Sequence, residues 1–190
     1  MKSTMPVMVY AESTPNPNIL KFVLNTKLTE KSVEYLSPME AGSSPLAQKL
    51  FNFDFVKSVF ISSNFISITK SDTADWYELM PRIRDLIIQF FKEEKLPFSE
   101  KTGKEIIEET KSFSTVDNQI INLLEEFVKP AVESDGGEIV FKSFKEGKVT
   151  LLMKGACRGC PSSTITLKSG IENLLKQMIP DVKEVVAEAV

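Results

Sequence analysis

The stretch Asp135-Gly136-Gly137-Glu138-Ile139-Val140-Phe141-Lys142-Ser143-Phe144-Lys145-Glu146-Gly147-Lys148-Val149-Thr150-Leu151-Leu152-Met153-Lys154 decides how the C-terminal part of the chain folds. Asp-Gly-Gly is turn chemistry. Residues 138–144 and 148–154 are runs suited to strands, and Glu146-Gly147 between them reads as a hairpin turn. Upstream, Ile120, Ile121, Leu124, Phe127, Val128 and Ala131 recur at helical spacing behind Asp117, a candidate cap, and the helix is expected to end near Pro130 and Ala131. Downstream, Ile171, Leu174, Leu175 and Met178 mark a second helix stopped by Pro180, and residues 182–186 supply a last strand. The order helix-strand-strand-helix-strand predicts a small α+β layer with helices on one face of a mixed sheet. At roughly 75 residues such a domain is marginal but able to fold.

The N-terminal half mixes the same two signals. Residues 19–24 (ILKFVL) follow the turn-rich Thr14-Pro15-Asn16-Pro17-Asn18 and read as a strand. Ser44-Pro45 opens a short helix through Phe51, with Pro45 suited to its first turn. Residues 55–61 and 65–69 flank Ser62-Ser63-Asn64 as a second hairpin. Asp75 with Glu78 forms a capping-box pattern ahead of Trp76, Leu79, Met80, Ile83, Leu86, Ile87, Phe90 and Phe91. Pro81 within that stripe is expected to kink the helix or delay its start. Core packing against the hairpin accounts for these aromatic residues better than a cofactor pocket does. Between the halves the composition turns to charge, with Pro97 and Gly103 and few branched apolar residues, as in a linker. The expected organisation is therefore two small α+β domains, residues 8–93 and 116–190, joined by a charged linker over 94–115.

Composition narrows the chemistry. The chain has 190 residues, 42% of them apolar and 26% charged, and a formal charge of −3. That suits a globular protein and argues against a backbone-phosphate binder of nucleic acid. No apolar run approaches the length of a membrane span, so no membrane partner is expected. The start, MKSTMPVMVYAEST, has neither the apolar core of a signal peptide nor the Arg-rich helix of a transit peptide, and a cytoplasmic location is the expectation. There is no histidine. Ser-His-Asp and Cys-His nucleophiles, and every histidine-ligated metal site, are thereby excluded.

Two cysteines remain, Cys157 and Cys160. So close a pair would make a poor structural staple, whereas in a reducing compartment C-x-x-C reads as metal binding or redox chemistry. They lie in Lys154-Gly155-Ala156-Cys157-Arg158-Gly159-Cys160-Pro161-Ser162-Ser163-Thr164, between a strand end and a helix start. Pro161 suits the first helical position, which would make Cys160 the cap. Unpaired N–H groups, the helix dipole and Arg158 would all favour thiolate there. Gly155 and Gly159 let the backbone approach a bulky inorganic group. Ordinary cysteines, a thioredoxin-like dithiol, a structural zinc and cluster ligation are the readings in competition. A zinc ion or an iron–sulfur cluster takes four protein ligands, and this chain offers two thiols. Carboxylates aside, the missing pair must come from a second copy, most simply across a two-fold axis.

The phrases Asp135-Gly136-Gly137-Glu138, then 155–163 (GACRGCPSS), Thr166-Leu167 and Gly170-Ile171-Glu172 closely resemble the C-terminal NifU-like (Nfu) domain. Glu12 to Asn18 and Ser44-Pro45-Leu46-Ala47 resemble the Nfu N-terminal domain, so the resemblance covers nearly the whole chain. It implies an iron–sulfur carrier or scaffold without enzymatic activity: a [4Fe–4S] cluster, or a [2Fe–2S] form, held between two protomers and passed to apo iron–sulfur proteins. It also implies that Cys157 and Cys160 are the cluster ligands and that an upstream donor supplies the cluster. The separate three-cysteine and ferredoxin-like domains of full-length NifU are missing, which favours receipt and delivery over primary assembly. Asp135, Gly136 and Gly137 belong to the family pattern, but a turn accounts for them and they receive no chemistry. A thiol–disulfide oxidoreductase using the same pair is the alternative.

Overall fold

The chain divides into two units, Met1–Ile107 and Glu108–Val190, in a computed structural model that describes residues 6–93, 97–98, 113–158 and 161–189. Helix and strand are mixed in both, as the α+β reading expects.

In the first unit five antiparallel strands lie in the order β1-β2-β5-β4-β3, with β1 Val9–Ser13, β2 Ile19–Leu24, β3 Val33–Tyr35, β4 Val56–Ser62 and β5 Phe65–Lys70. The expected hairpin is β4–β5. Its two loop residues are Ser63 and Asn64, and Ser63 takes the positive φ (44°) that a tight turn of this hand demands. Helix α1, Pro45–Phe51, begins as the sequence predicts: Ser44 accepts from the Ala47 N–H (3.1 Å) and Pro45 stands at the first position. The Ser44 hydroxyl donates onward to the Pro97 carbonyl (2.6 Å), and Phe98 packs on this unit's core. Residues 99–112, the greater part of the expected linker, lie outside the described residues.

Helix α2, Trp76–Lys92, is capped by Asp75, whose carboxylate accepts from the Tyr77 N–H (2.9 Å). Its inner residues Leu79, Ile83, Ile87 and Phe90 join Phe22, Leu24, Leu46, Leu50, Ile61, Ile66 and Ile68 in one apolar core. Pro81 does not delay the helix, which runs through it. A proline there removes the N–H that would bond the Tyr77 carbonyl; Tyr77 and Pro81 both face water, which can satisfy that carbonyl instead. Strands β1 and β3 escape the sequence reading because both are short edge strands with one buried residue each.

The second unit follows the expected order. Helix α3 (Thr115–Leu123), a π-helical segment (Leu124–Val128) and α4 (Lys129–Ser134) form one rod; β6 (Gly137–Lys145), β7 (Lys148–Gly155), α5 (Pro161–Met178) and β8 (Glu184–Ala189) follow. Strands β6 and β7 are antiparallel, β7 and β8 parallel, in the order β6-β7-β8. The cap of α3 is Ser114 rather than Asp117: the two form a reciprocal capping box, with Asp117 at the third helical position returning a bond to the Ser114 N–H. Nor does the rod end at Pro130. An α-helix cannot carry a donor-less residue there without losing a bond, and the π turn immediately before it absorbs the mismatch.

That π turn changes which residues are core. Ile120, Leu124, Val128 and Val132 are buried at steps of four, while Phe127 (52% exposed) and Ala131, inward on an unbroken 3.6-residue count, turn outward. Below the rod lie Val149, Leu151, Met153 and Val185 of the sheet with Ile171 and Leu175 of α5. Met178, one of the residues that mark this helix in the sequence, is 57% exposed at the helix end. The β6–β7 hairpin closes at Glu146-Gly147 with φ of 53° and 85°, the paired left-handed turn that matches strand twist.

Besides their apolar contact, helix α5 and strand β8 share a hydrogen bond. Glu172 accepts from the Val185 N–H (3.0 Å) and pairs with Lys176. The Lys176 hydrogen bond foremost, and the Val185 N–H after it, hold the Glu172 carboxyl below its usual pKa. A lowered folded-state pKa contributes stability above the unfolded pKa, and the contribution is lost as pH falls through the folded value. Acidifying the protein through the carboxylate range should therefore lower the protection factor of the Val185 amide (the intrinsic exchange rate divided by the observed rate at each pH), and Glu172→Gln should abolish that change in protection. Gly170 stands mid-helix and exposed, with no atom within 4 Å of an added Cβ. Gly170→Ala should raise the stability of this unit by about 1 kcal/mol in urea unfolding.

Candidate metal centre

The cysteine segment is placed by the end of β7 and the start of α5. Strand β7 alternates buried and half-buried residues up to Gly155, the last residue to pair with β6, opposite Gly137. Gly155 adopts φ 60°, the left-handed region, so the chain leaves the sheet at once. The Arg158 N–H donates to the Gly155 carbonyl (3.0 Å), closing a four-residue turn with Ala156 and Cys157 at its centre. The Ala156 N–H donates back across the hairpin to the Gly136 carbonyl (3.2 Å). Gly136 supplies that carbonyl from φ 82°, one residue after Asp135 caps α4 and one before β6 starts. Three glycines thus hold the turn that carries Cys157.

Cys157 itself is buried, 6% exposed, and packs with the core of the second unit. The fold sets this residue at the edge of the apolar layer. Cys160 and Gly159 lie outside the described residues. Helix α5 starts at Pro161, as its place in the sequence predicts, so Cys160 directly precedes the first helical residue. Among the described residues no group of three or more Cys, Asp or Glu gathers to hold a metal ion.

Residues 9–94 match the family described as "Scaffold protein Nfu/NifU N terminal", and residues 120–186 match "NifU-like domain". This chain belongs to the Nfu/NifU scaffold family. It is 38% identical over 188 residues to the human protein named "NFU1 iron-sulfur cluster scaffold homolog, mitochondrial", covering 94% of this chain and 71% of that one. It is 34% identical over 193 residues to a NifU-like protein of Schizosaccharomyces pombe, covering 98% and 74%. A NifU-like protein from Saccharomyces cerevisiae, solved in solution, aligns at 26% identity with a TM-score of 0.45, covering 53% of this chain and 91% of that one.

The comparisons correct one expectation. Relatives matched over most of this chain, in human and in Drosophila willistoni, are named mitochondrial, against the cytoplasmic location read from the first residues. Targeting segments are removed from the working protein and leave no mark on folded domains, so composition does not report the compartment. No helix among the described residues is long and apolar enough to cross a membrane.

Gly155 offers a local test of this geometry. Asn tolerates the left-handed region and β-branched Val does not. Gly155→Val should destabilise the second unit by about 1–2 kcal/mol more than Gly155→Asn, of similar size, in paired denaturant unfolding.

Proposed function

We propose that this chain carries an iron–sulfur cluster, [4Fe–4S] with [2Fe–2S] as the smaller form, between two copies of itself and delivers it to apo iron–sulfur proteins. The observation that carries this reading is the position of the two cysteines: one on a glycine-held turn at the strand end, the other immediately before a helix, with no further donor cluster among the described residues. Family membership supports the scaffold role, and the ligand count supports the second copy. Cys157 and Cys160 are the proposed ligands, and the cluster is cargo.

Delivery needs no covalent catalysis. An acceptor thiolate forms a bond to iron as the bond from Cys157 or Cys160 breaks; the proton released by the acceptor thiol goes to the departing thiolate, and no electrons change hands. Two thiolates per protomer leave the edges of the cluster open to such attack. An acceptor supplying more thiolates from one chain, without needing a second copy, draws the equilibrium its way. The upstream donor hands over by the same exchange in reverse. The names of the relatives support a mitochondrial compartment. The oxidoreductase alternative draws no support from the comparisons, whose names speak of scaffolds.

Anaerobic reconstitution with iron and sulfide tests the reading. The native chain should bind about four iron atoms per dimer, with the broad visible absorption of a cluster and the mass of two chains in solution. Cys157→Ala and Cys160→Ala should each abolish it. A cluster retained by the double variant, or a loaded single chain with no added thiol, would refute the proposal.

A further inference from the structure

As sequence, Asp135-Gly136-Gly137 is a turn and nothing more. In the folded unit, Gly137 and Cys157 touch. A Cβ built on Gly137 would stand 2.5 Å from the Cys157 Sγ, 2.9 Å from the Cys157 backbone nitrogen and 2.9 Å from the Lys154 carbonyl oxygen. Cβ atoms essentially never come within 3.0 Å of another heavy atom in this way. A new rotamer at Cys157 would relieve the first contact only. The other two are backbone, so even a methyl group at 137 must push the cysteine turn away from β6.

The surroundings leave that turn little room. Gly137 is buried and pairs with Gly155, where the sheet ends. The Gly136 carbonyl grips Ala156, and the Arg158 N–H closes the turn on Gly155. On its other side Cys157 belongs to the apolar core with Val149, Leu151, Met153 and Ile171. The sulfur is thus set against a bare Cα on one side and packed side chains on the other, and its direction comes from the missing Cβ.

We infer that Gly137 is a positioning residue for the first cluster ligand: it is the seat against which the Cys157 thiol is held, and it acts on the cargo through that thiol alone. The inference rests on the function proposed above, because only a ligand has to point in one direction; the seat itself exists whether or not a cluster binds. Gly137 makes no bond to iron. It sets where the sulfur is when iron arrives.

Two measurements on the full chain test this. In cluster-free, reduced protein, alkylation of Cys157 by iodoacetamide, read by peptide mass spectrometry, should run about fivefold or more faster in Gly137→Ala than in the native chain. After anaerobic reconstitution, the visible absorption of the cluster should decay about fivefold or more faster in Gly137→Ala, and no faster than native in Gly170→Ala, where an added Cβ meets nothing. Unchanged alkylation overturns the inference, and so does faster alkylation with a native cluster lifetime. Should Gly137→Ala fail to fold, the same substitution is placed on Cys157→Ala. A larger folded fraction by circular dichroism in the double variant than in Gly137→Ala alone supports the seat, since the sulfur contact is gone while the two backbone contacts remain, and an equal or smaller fraction overturns it. A native chain that holds no cluster defeats the proposed function while the alkylation comparison still decides whether Gly137 seats the thiol.

Discussion

The second unit depends on a close approach that only glycine permits. Gly137 opens β6, Gly155 ends β7, and the two pair with each other at the end of the hairpin. With no Cβ on either, the chain leaving β7 can fold back over the start of β6, and the Ala156 N–H reaches the Gly136 carbonyl. Everything that defines the candidate metal centre depends on that approach: the tight turn, the burial of Cys157 and the line from the turn into α5. Side chains at this corner would hold the turn off the sheet and leave Cys157 without a fixed direction.

The rod formed by α3, the π segment and α4 shows how one residue type alters a whole face. Pro130 has no N–H to give, and the π turn before it spreads the loss over a wider ring. The extra residue in that turn rotates α4 about the rod axis, so Val132 reaches the core and Phe127 does not. Phe127 with Ala131 then borders an apolar groove whose other wall is Leu167, Gly170 and Leu174 of α5. Periodicity treats every turn as equal, and this rod has one unequal turn.

The first unit is the simpler case. Its central strands β2, β4 and β5 and its long helix α2 are legible because their apolar residues recur at fixed spacing and their ends carry capping or turn residues. The Thr14-Pro15-Asn16-Pro17-Asn18 phrase reads as a turn, and it is one, but its ties are not local: Asn18 meets Asp72 (2.6 Å) in the turn before α2, and the Pro17 carbonyl accepts from the Trp76 indole (3.0 Å) at the start of α2. Edge strands such as β1 and β3 carry little apolar content, so pattern alone passes over them.

By itself the sequence determined the elements whose causes lie within a few residues: the glycine turn at 146–147, the caps at Ser44 and Asp75, the inner face of α2, and the two cysteines as the sole thiols ahead of a helix opened by proline. It also determined the number of thiols, since counting needs no coordinates. Which residues meet across the fold was decided by tertiary structure. Counting back from the Lys145–Lys148 pair without interruption sets Glu138 opposite Gly155; a bulge between Phe141 and Ser143 shifts the register by one and sets Gly137 there instead. A contact between residues twenty positions apart hangs on that one unpaired residue, because register is settled by how two strands pack and not by either strand alone.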